Sequence, residues 1–410
     1  MRYNLVMNKV YCRVFQFGMK IANYFIGYRT PECIEGAGSI TKLPALIKQN
    51  GINKVLLVTD NGLIKLGLPN SLMKALEDEG VEYVVFCNIQ PNPTDENVEE
   101  GFHIYKENKC EGIIAFGGGS PMDCGKAIAA RNAHPNKSVK QLQGILKVHK
   151  KICPFFAVPT TAGTGSETTV AAVITEAKTH HKAPINDPAI LPKYAVLDPE
   201  LTKGLPPFIT ATTGMDALCH AVEAYTNSTY NTKEENERAK KAVKLIYENI
   251  LIVYNDGNNM IARGNMQKAA FNAGRAFTRG CVGYVHAVGH TLSGLYGISH
   301  GEAMSVILPH VLRQFGDSVN EKLSELADVC NIQGNSQKEK ANNFISWIEE
   351  TNSKMNIKNK FDFIKDEDVD QIIKWADQEA NPLYPVPVIW QYQDFKKLIN
   401  SIRMWPTPTT

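Results

Sequence analysis

The sequence predicts an α/β domain built on a parallel sheet, followed by an all-α domain. Two observations carry this reading. From about residue 54 to residue 160, short continuous apolar runs alternate with helical stretches, as expected for strands buried on both faces and joined by crossover helices. Beyond Pro206-Pro207 the apolar residues recur at helical spacing almost everywhere, and no run of comparable strand quality appears. At 410 residues the chain exceeds the usual size of a single core, so two domains are the natural division. The boundaries fall at 1–25 for an N-terminal extension, 26–206 for the α/β domain and 207–410 for the helical domain.

Residues 1–31 contain Arg2, Lys9, Arg13, Lys20 and Arg29 but no Asp or Glu. They read as a folded extension or an edge strand packed on the core. An organelle transit segment is the alternative, and the lack of Ser counts against it. Charges and Gln16 interrupt every stretch that might serve in secretion. The first clear strand, 55–60, is closed by Asn61-Gly62. A helix over 69–80 has Ser71 as its expected cap and ends at Gly80. A second strand follows at 81–86, and the turn at 91–94 opens a helix over 95–108. The third strand, 112–116, runs directly into Gly117-Gly118-Gly119-Ser120, with a helix from about Met122. The fourth, 154–158, runs into a threonine-rich loop over 159–166. In the second half, Thr232 and Glu235 form a capping box for a helix reaching about residue 254. Further helices are expected at 259–279, 318–331, 338–351, 366–379 and 392–403, with a frayed tail from Trp405.

Composition narrows the classes of function. The chain is 43% hydrophobic and 21% charged, with 44 basic and 42 acidic residues giving a net charge of +2. That balance gives no reason to invoke nucleic acid or an anionic membrane, and no apolar run approaches the roughly 20 residues needed to span a bilayer. Nine cysteines without a Cys-x-x-Cys pair suggest reduced thiols and a cytoplasmic setting.

Ligands of parallel sheets sit at the carboxyl ends of the strands, where the glycine- and threonine-rich loops lie. Gly117, Gly118, Gly119 and Ser120 let backbone N–H groups and a helix dipole face a pyrophosphate. Asp123 is placed to cap the following helix or to reach a nucleotide. Thr160, Thr161, Thr164 and Ser166 offer hydroxyls to ribose, phosphate or nicotinamide, or serve simple turn chemistry. Asp60, at a strand end, suits hydrogen bonds to an adenosine ribose and would repel a 2′-phosphate, favouring NAD over NADP.

The metal chemistry lies further on. His286, His290 and His300 fall in one glycine-rich stretch, spaced by four and then ten residues. Helical residues four apart share a face, and Ser299 with the preceding glycines would end the helix and fold His300 back. Asp216 and His220 form a second pair at the same spacing. One carboxylate with two or three imidazoles suits Fe(II) or Zn(II). Spacing alone does not separate His286 from His290.

Taken together, Gly-Gly-Gly-Ser-Pro-Met-Asp (117–123), Pro-Thr-Thr-Ala-Gly-Thr-Gly-Ser-Glu (159–167), Gly-Met-Asp-Ala-Leu-Cys-His-Ala-Val-Glu (214–223), Val-His-Ala-Val-Gly-His (285–290) and Ser-His-Gly (299–301) resemble the iron-containing (group III) alcohol dehydrogenase family. The likeness runs over about residues 26–315. It implies a dinucleotide-binding domain and a helical metal-binding domain with the metal in the cleft between them. It also implies that Asp216, His220, His286 and His300 are the ligands, that His290 lies by the nicotinamide, and that Lys182 contacts the cofactor. The expected reaction is hydride transfer between NAD(H) and a small primary alcohol or aldehyde, in a homodimer or higher homo-oligomer. The rivals are a lyase of the dehydroquinate-synthase type, a glycerol-dehydrogenase-like polyol dehydrogenase, and a non-enzymatic metal and nucleotide sensor. The absence of His-Glu-x-x-His counts against a zinc protease. Substrate size would depend on residues such as Val170, Phe277 and Cys281.

Overall fold

In the computed structural model, residues 9–179, 182–227 and 229–404 are described. Among the described residues nine short strands form two sheets: β1 (Glu32–Glu35), β2 (Lys54–Val58), β3 (Glu82–Phe86), β4 (Gly112–Gly117), β5 (Gly144–Ile145), β6 (Phe155–Pro159), β7 (Ala171–Thr175), β8 (Lys182–Asn186) and β9 (Tyr194–Leu197). The larger sheet has the order β1-β9-β6-β4-β2-β3 with every pair parallel. Its strands are continuous apolar runs because both faces are covered. Alternate residues enter separate cores. Leu56, Ile113 and Phe155 pack with Val98, Phe102 and Ile128 from the helices Asp95–Glu107 and Gly119–Ala133. Val55, Ile114 and Phe156 pack on the other face with Leu43, Ile47 and Leu76.

From β2 the chain passes to β3 on one side, then crosses back to β4 on the other. The order therefore reverses between β2 and β4, which is where open α/β sheets bind ligands. Strands β1 and β9 escaped the sequence reading because they are only four residues long. The small sheet, β5-β8-β7, was also not anticipated, and its β7–β8 pair is antiparallel.

A helix begins at Pro207, and the long helices of the second half match the expected spans closely. Thr232 and Glu235 do form the capping box. Other expectations need correction. Ser71 does not cap its helix, which starts at Asn70 with Pro69 before it. The helix expected from Met122 starts at Gly119, so Asp123 lies within its first turns and is not its cap. The extension holds a helix, Lys9–Phe25, rather than an edge strand; Arg13 donates to Pro387 O at 2.8 Å and Gln16 to Tyr384 O at 2.8 Å. The frayed tail expected from Trp405 lies outside the described residues.

Contacts divide the chain into two compact units, 27–205 with 257–278, and 1–26 with 206–256 and 279–410. A single break near residue 206 would leave 257–278 in the helical domain. Most of the helix Met260–Gly280 instead packs in the α/β unit, where Gln267 donates to Asp198 O at 3.0 Å and Thr278 to Thr168 O at 3.1 Å. Glycines permit this contact. A Cβ on Gly165, which has φ +59°, would lie 2.8 Å from Ala270 O, and one on Gly274 would lie 2.7 Å from Gly165 O. We predict that Gly274→Val lowers stability by about 1–3 kcal/mol through overpacking. Chemical denaturation of the purified variant checks this, and an unchanged midpoint would contradict it.

Candidate metal centre and cofactor loops

In the helical unit, three helices bring the metal candidates together. The helix Pro207–Asn227 carries Asp216 and His220 one turn apart, and every residue from Gly214 to Asn227 on it is buried. The helix Tyr284–Tyr296 carries His286 and ends at Gly297 in the left-handed conformation, φ +69°. Ser299 then precedes the helix His300–Phe315, so His300 sits at a helix start, folded back as the glycines implied. That helix lies close on the first: a Cβ on Gly301 would approach Thr212 O to 2.5 Å, so only glycine lets His300 reach Asp216.

The Nε2 atoms of His300, His286 and His220 lie 3.2, 3.8 and 3.9 Å from Asp216 Oδ1. One donor atom from each of the four residues falls within 4.8 Å of all the others. His286 Nε2 and Asp216 Oδ1 are buried and make no hydrogen bond of good geometry. Two buried acceptors facing each other are costly unless a cation lies between them, so the residues fit a divalent metal. Burial opposes ionisation of Asp216, but the surrounding imidazoles hold its carboxyl well below the usual range. Burial drives His220 down to about 3 and His286 well below its ordinary value, which leaves both imidazoles neutral and able to ligate.

Glu223 is the functional residue that sequence reasoning quoted without assigning. Its Oε2 lies 2.5 Å from His286 Nδ1, and its Oε1 accepts from the Val285 N–H at 2.8 Å. This fixes the Nδ1–H tautomer and aims Nε2 at Asp216, the usual carboxylate support of a metal-binding histidine. Burial raises the Glu223 carboxyl to about 7, against the backbone N–H groups that lower it. Its position one turn beyond His220 was the available signal. His290 stands apart from the cluster: its Nδ1 is 2.7 Å from Glu379 Oε1, which also accepts from Tyr384, and its ring stacks on His300 at 5.1 Å. Geometry thus separates His286 from His290 where spacing did not.

In the α/β unit, the loops after β4 and β6 face each other. Gly118 opposes Thr161, Gly119 opposes Thr164, and the Thr160 N–H donates to Gly117 O at 3.0 Å. Asn92 links two further candidates, accepting from Lys182 Nζ at 2.9 Å and donating its N–H to Ser120 Oγ at 3.3 Å. Asp60 lies just beyond β2, across the switch point, with Oδ1 capping the next helix by accepting from the Leu63 N–H at 3.0 Å. Asp123 accepts from Ser166 Oγ at 2.8 Å and from the Val173 N–H at 3.0 Å, so it braces the threonine loop from within.

Lys126 was missed. Its ammonium is buried and lies 2.5–3.0 Å from five oxygens of Ser166, Thr169 and Ala171. Burial pushes it down to about 8, so it stays protonated at neutral pH and holds the loop by charge-assisted bonds. A lone charge in Cys124-Gly-Lys-Ala-Ile-Ala-Ala130 was the signal.

A parallel sheet with facing glycine and threonine loops, together with a carboxylate–imidazole cluster, are the parts of a metal-dependent, nucleotide-linked dehydrogenase. Comparison makes the class specific: residues 30–199 match the model of iron-containing alcohol dehydrogenases, and residues 210–402 that of the C-terminal region of the same family. The chain belongs to the iron-containing alcohol dehydrogenase family and is an alcohol–aldehyde oxidoreductase. It is 35% identical over 364 residues to the NAD-dependent methanol dehydrogenase of Bacillus methanolicus, covering 88% of this chain and 94% of that one. It is 39% identical over 295 residues to alcohol dehydrogenase 4 of Schizosaccharomyces pombe, covering 72% and 69%. The crystal structure of a 1,3-propanediol oxidoreductase superposes with a TM-score of 0.87 at 34% identity, over 92% of this chain and 99% of that one.

Glu223→Gln should weaken metal affinity by about 10–100-fold, as losses of such supporting carboxylates do. Titration of metal-stripped protein with Zn(II) against a chelator measures this directly. Affinity equal to that of the natural chain would remove Glu223 from the metal's support.

Proposed function

We propose that the protein transfers hydride reversibly between a nicotinamide dinucleotide, NAD in preference to NADP, and a small primary alcohol or its aldehyde. The convergence of Asp216 with the three imidazoles, beside His290, is the observation that carries it. A divalent ion held by Asp216, His220, His286 and His300, Fe(II) or Zn(II), supplies Lewis acidity toward the alcohol or carbonyl oxygen. Glu223 keeps His286 in its ligating tautomer. Glu379 accepts from His290 Nδ1–H, leaving His290 Nε2 as the atom that takes a proton from the hydroxyl and releases it to solvent.

The cofactor reading follows from the sheet. The N–H groups of Gly117, Gly118, Gly119 and Ser120, at a helix start, receive the pyrophosphate. Lys182, held near Ser120 through Asn92, adds a cation there. Thr160, Thr161 and Thr164 line the facing loop and bond ribose or nicotinamide. Asp123 belongs to the same site as the brace of that loop. Asp60 offers the carboxylate oxygen not used in capping to the adenosine ribose, and its charge disfavours a 2′-phosphate. We place the enzyme in the cytoplasm as a homodimer; among the described residues no helix is long and apolar enough to cross a membrane.

Protein stripped of metal should lose NADH-dependent reduction of butyraldehyde and regain it with Fe(II) or Zn(II) without oxygen. No turnover of any short aldehyde, despite metal and NAD binding, would sink the reading. Asp60→Gly should narrow the preference for NADH over NADPH by about tenfold, about 1.4 kcal/mol of discrimination, read as the ratio of kcat/KM values. An unchanged ratio would move cofactor choice away from Asp60.

A further inference from the structure

The helix Lys9–Phe25 is turned inside out. Its protein-facing side is partly polar: Cys12, Gln16 and Asn23 are buried, with Gln16 donating to Pro382 O and Tyr384 O, and Arg279 donating to Asn23 O. Its outward side is apolar. Val10, Val14, Phe17, Ile21 and Tyr24 recur at i, i+4, i+7, i+11 and i+14, and each is at least half exposed, from 50% for Ile21 to 79% for Tyr24. Helices of monomeric proteins turn such a stripe toward the core. Here the hydrogen bonds of the polar side hold it outward, and a contiguous exposed apolar stripe marks an interaction site.

Charge identifies the occupant. Lys9, Arg13 and Lys20 are all exposed and lie along one flank of the apolar stripe, between it and the buried face. Neither this helix nor any residue from 1 to 31 supplies an Asp or Glu. A second copy of the helix would offer this flank only more lysine and arginine. An anionic lipid surface matches both halves, because acyl chains take the apolar side chains while headgroup charges meet the cations. At about 25 Å of helix, and with no helix among the described residues long and apolar enough to cross a bilayer, the element would lie in the interface plane. The chain-wide net charge of +2 averages this local excess away. The helix also precedes both family matches, the first of which begins at residue 30.

We propose that the helix Lys9–Phe25 is an interfacial docking element that binds the enzyme to anionic membrane surfaces. Flotation of the full-length chain tests it, with vesicles of phosphatidylcholine alone and of phosphatidylcholine mixed with phosphatidylserine. The natural chain should float with the anionic vesicles and be released by high salt. Val14→Asp with Phe17→Asp, and separately Lys9→Glu with Lys20→Glu, should weaken binding by about tenfold or more. Both pairs are exposed, so circular dichroism and dehydrogenase activity in solution should be unchanged. Failure of the natural chain to float with anionic vesicles would overturn the proposal, as would flotation indifferent to both pairs. If Val14→Asp with Phe17→Asp instead halves the mass seen by light scattering, with no vesicle binding by the natural chain, a second copy covers the stripe and the proposal fails.

Discussion

The buried carboxylate of Asp216 is the constraint on which the helical half depends. An ionised carboxylate away from water is expensive unless it is paired or meets a cation. Here it is ringed by three imidazoles, of which burial keeps His220 and His286 neutral, so a divalent cation between the carboxylate and these rings would offset a buried charge. The small residues of this unit serve that convergence. Gly301 lets one helix approach the backbone of another, and Gly297 ends the preceding helix so that the chain can turn. Glu223 and Glu379 then set the two histidines of one helix apart, since each lies against an Nδ1 and so decides what the Nε2 faces.

The α/β half solves a different problem, which is to keep two irregular loops in register at the end of a sheet. Loops of this kind are the natural weak points of a fold. Lys126 supplies the central tie, since one ammonium reaches oxygens of Ser166 at the end of the threonine loop, of Thr169 after it and of Ala171 at the start of β7. Asp123 fastens the same segment from the same helix through Ser166 and the Val173 N–H. The motif residues that look like ligand contacts in a linear sequence are therefore of two kinds. Gly118, Gly119, Thr161 and Thr164 face one another across the gap, while Asp123 and Lys126 act from beneath it.

Much of this was legible in the sequence because burial on both sides writes strands as apolar runs, and capping writes helix starts as Thr-x-x-Glu. The long strands and helices fell where those signals put them. Strands of four residues, β1 and β9, carry too little pattern to be heard. The return of 257–278 to the α/β unit was invisible because it depends on Gly165 meeting Gly274, a contact between residues more than a hundred positions apart. Within the site, spacing gave the pairs Asp216 with His220 and His286 with His290. It could not show that only the first His of the second pair faces the carboxylate, which depends on where Glu223 and Glu379 lie.

The four candidate ligands sit on three separate helices, and 84 positions of chain separate the first from the last. Filling such a site does more than prepare a reaction, for it staples three helices that local sequence does not hold together. An ion that binds the folded form alone adds stability as the logarithm of its free concentration, about 1.4 kcal/mol for each tenfold rise above the dissociation constant. The folding equilibrium of the helical unit thereby becomes a readout of ion supply. In a metal-poor cell the population of intact protein, and not only the fraction able to turn over, would fall with the supply.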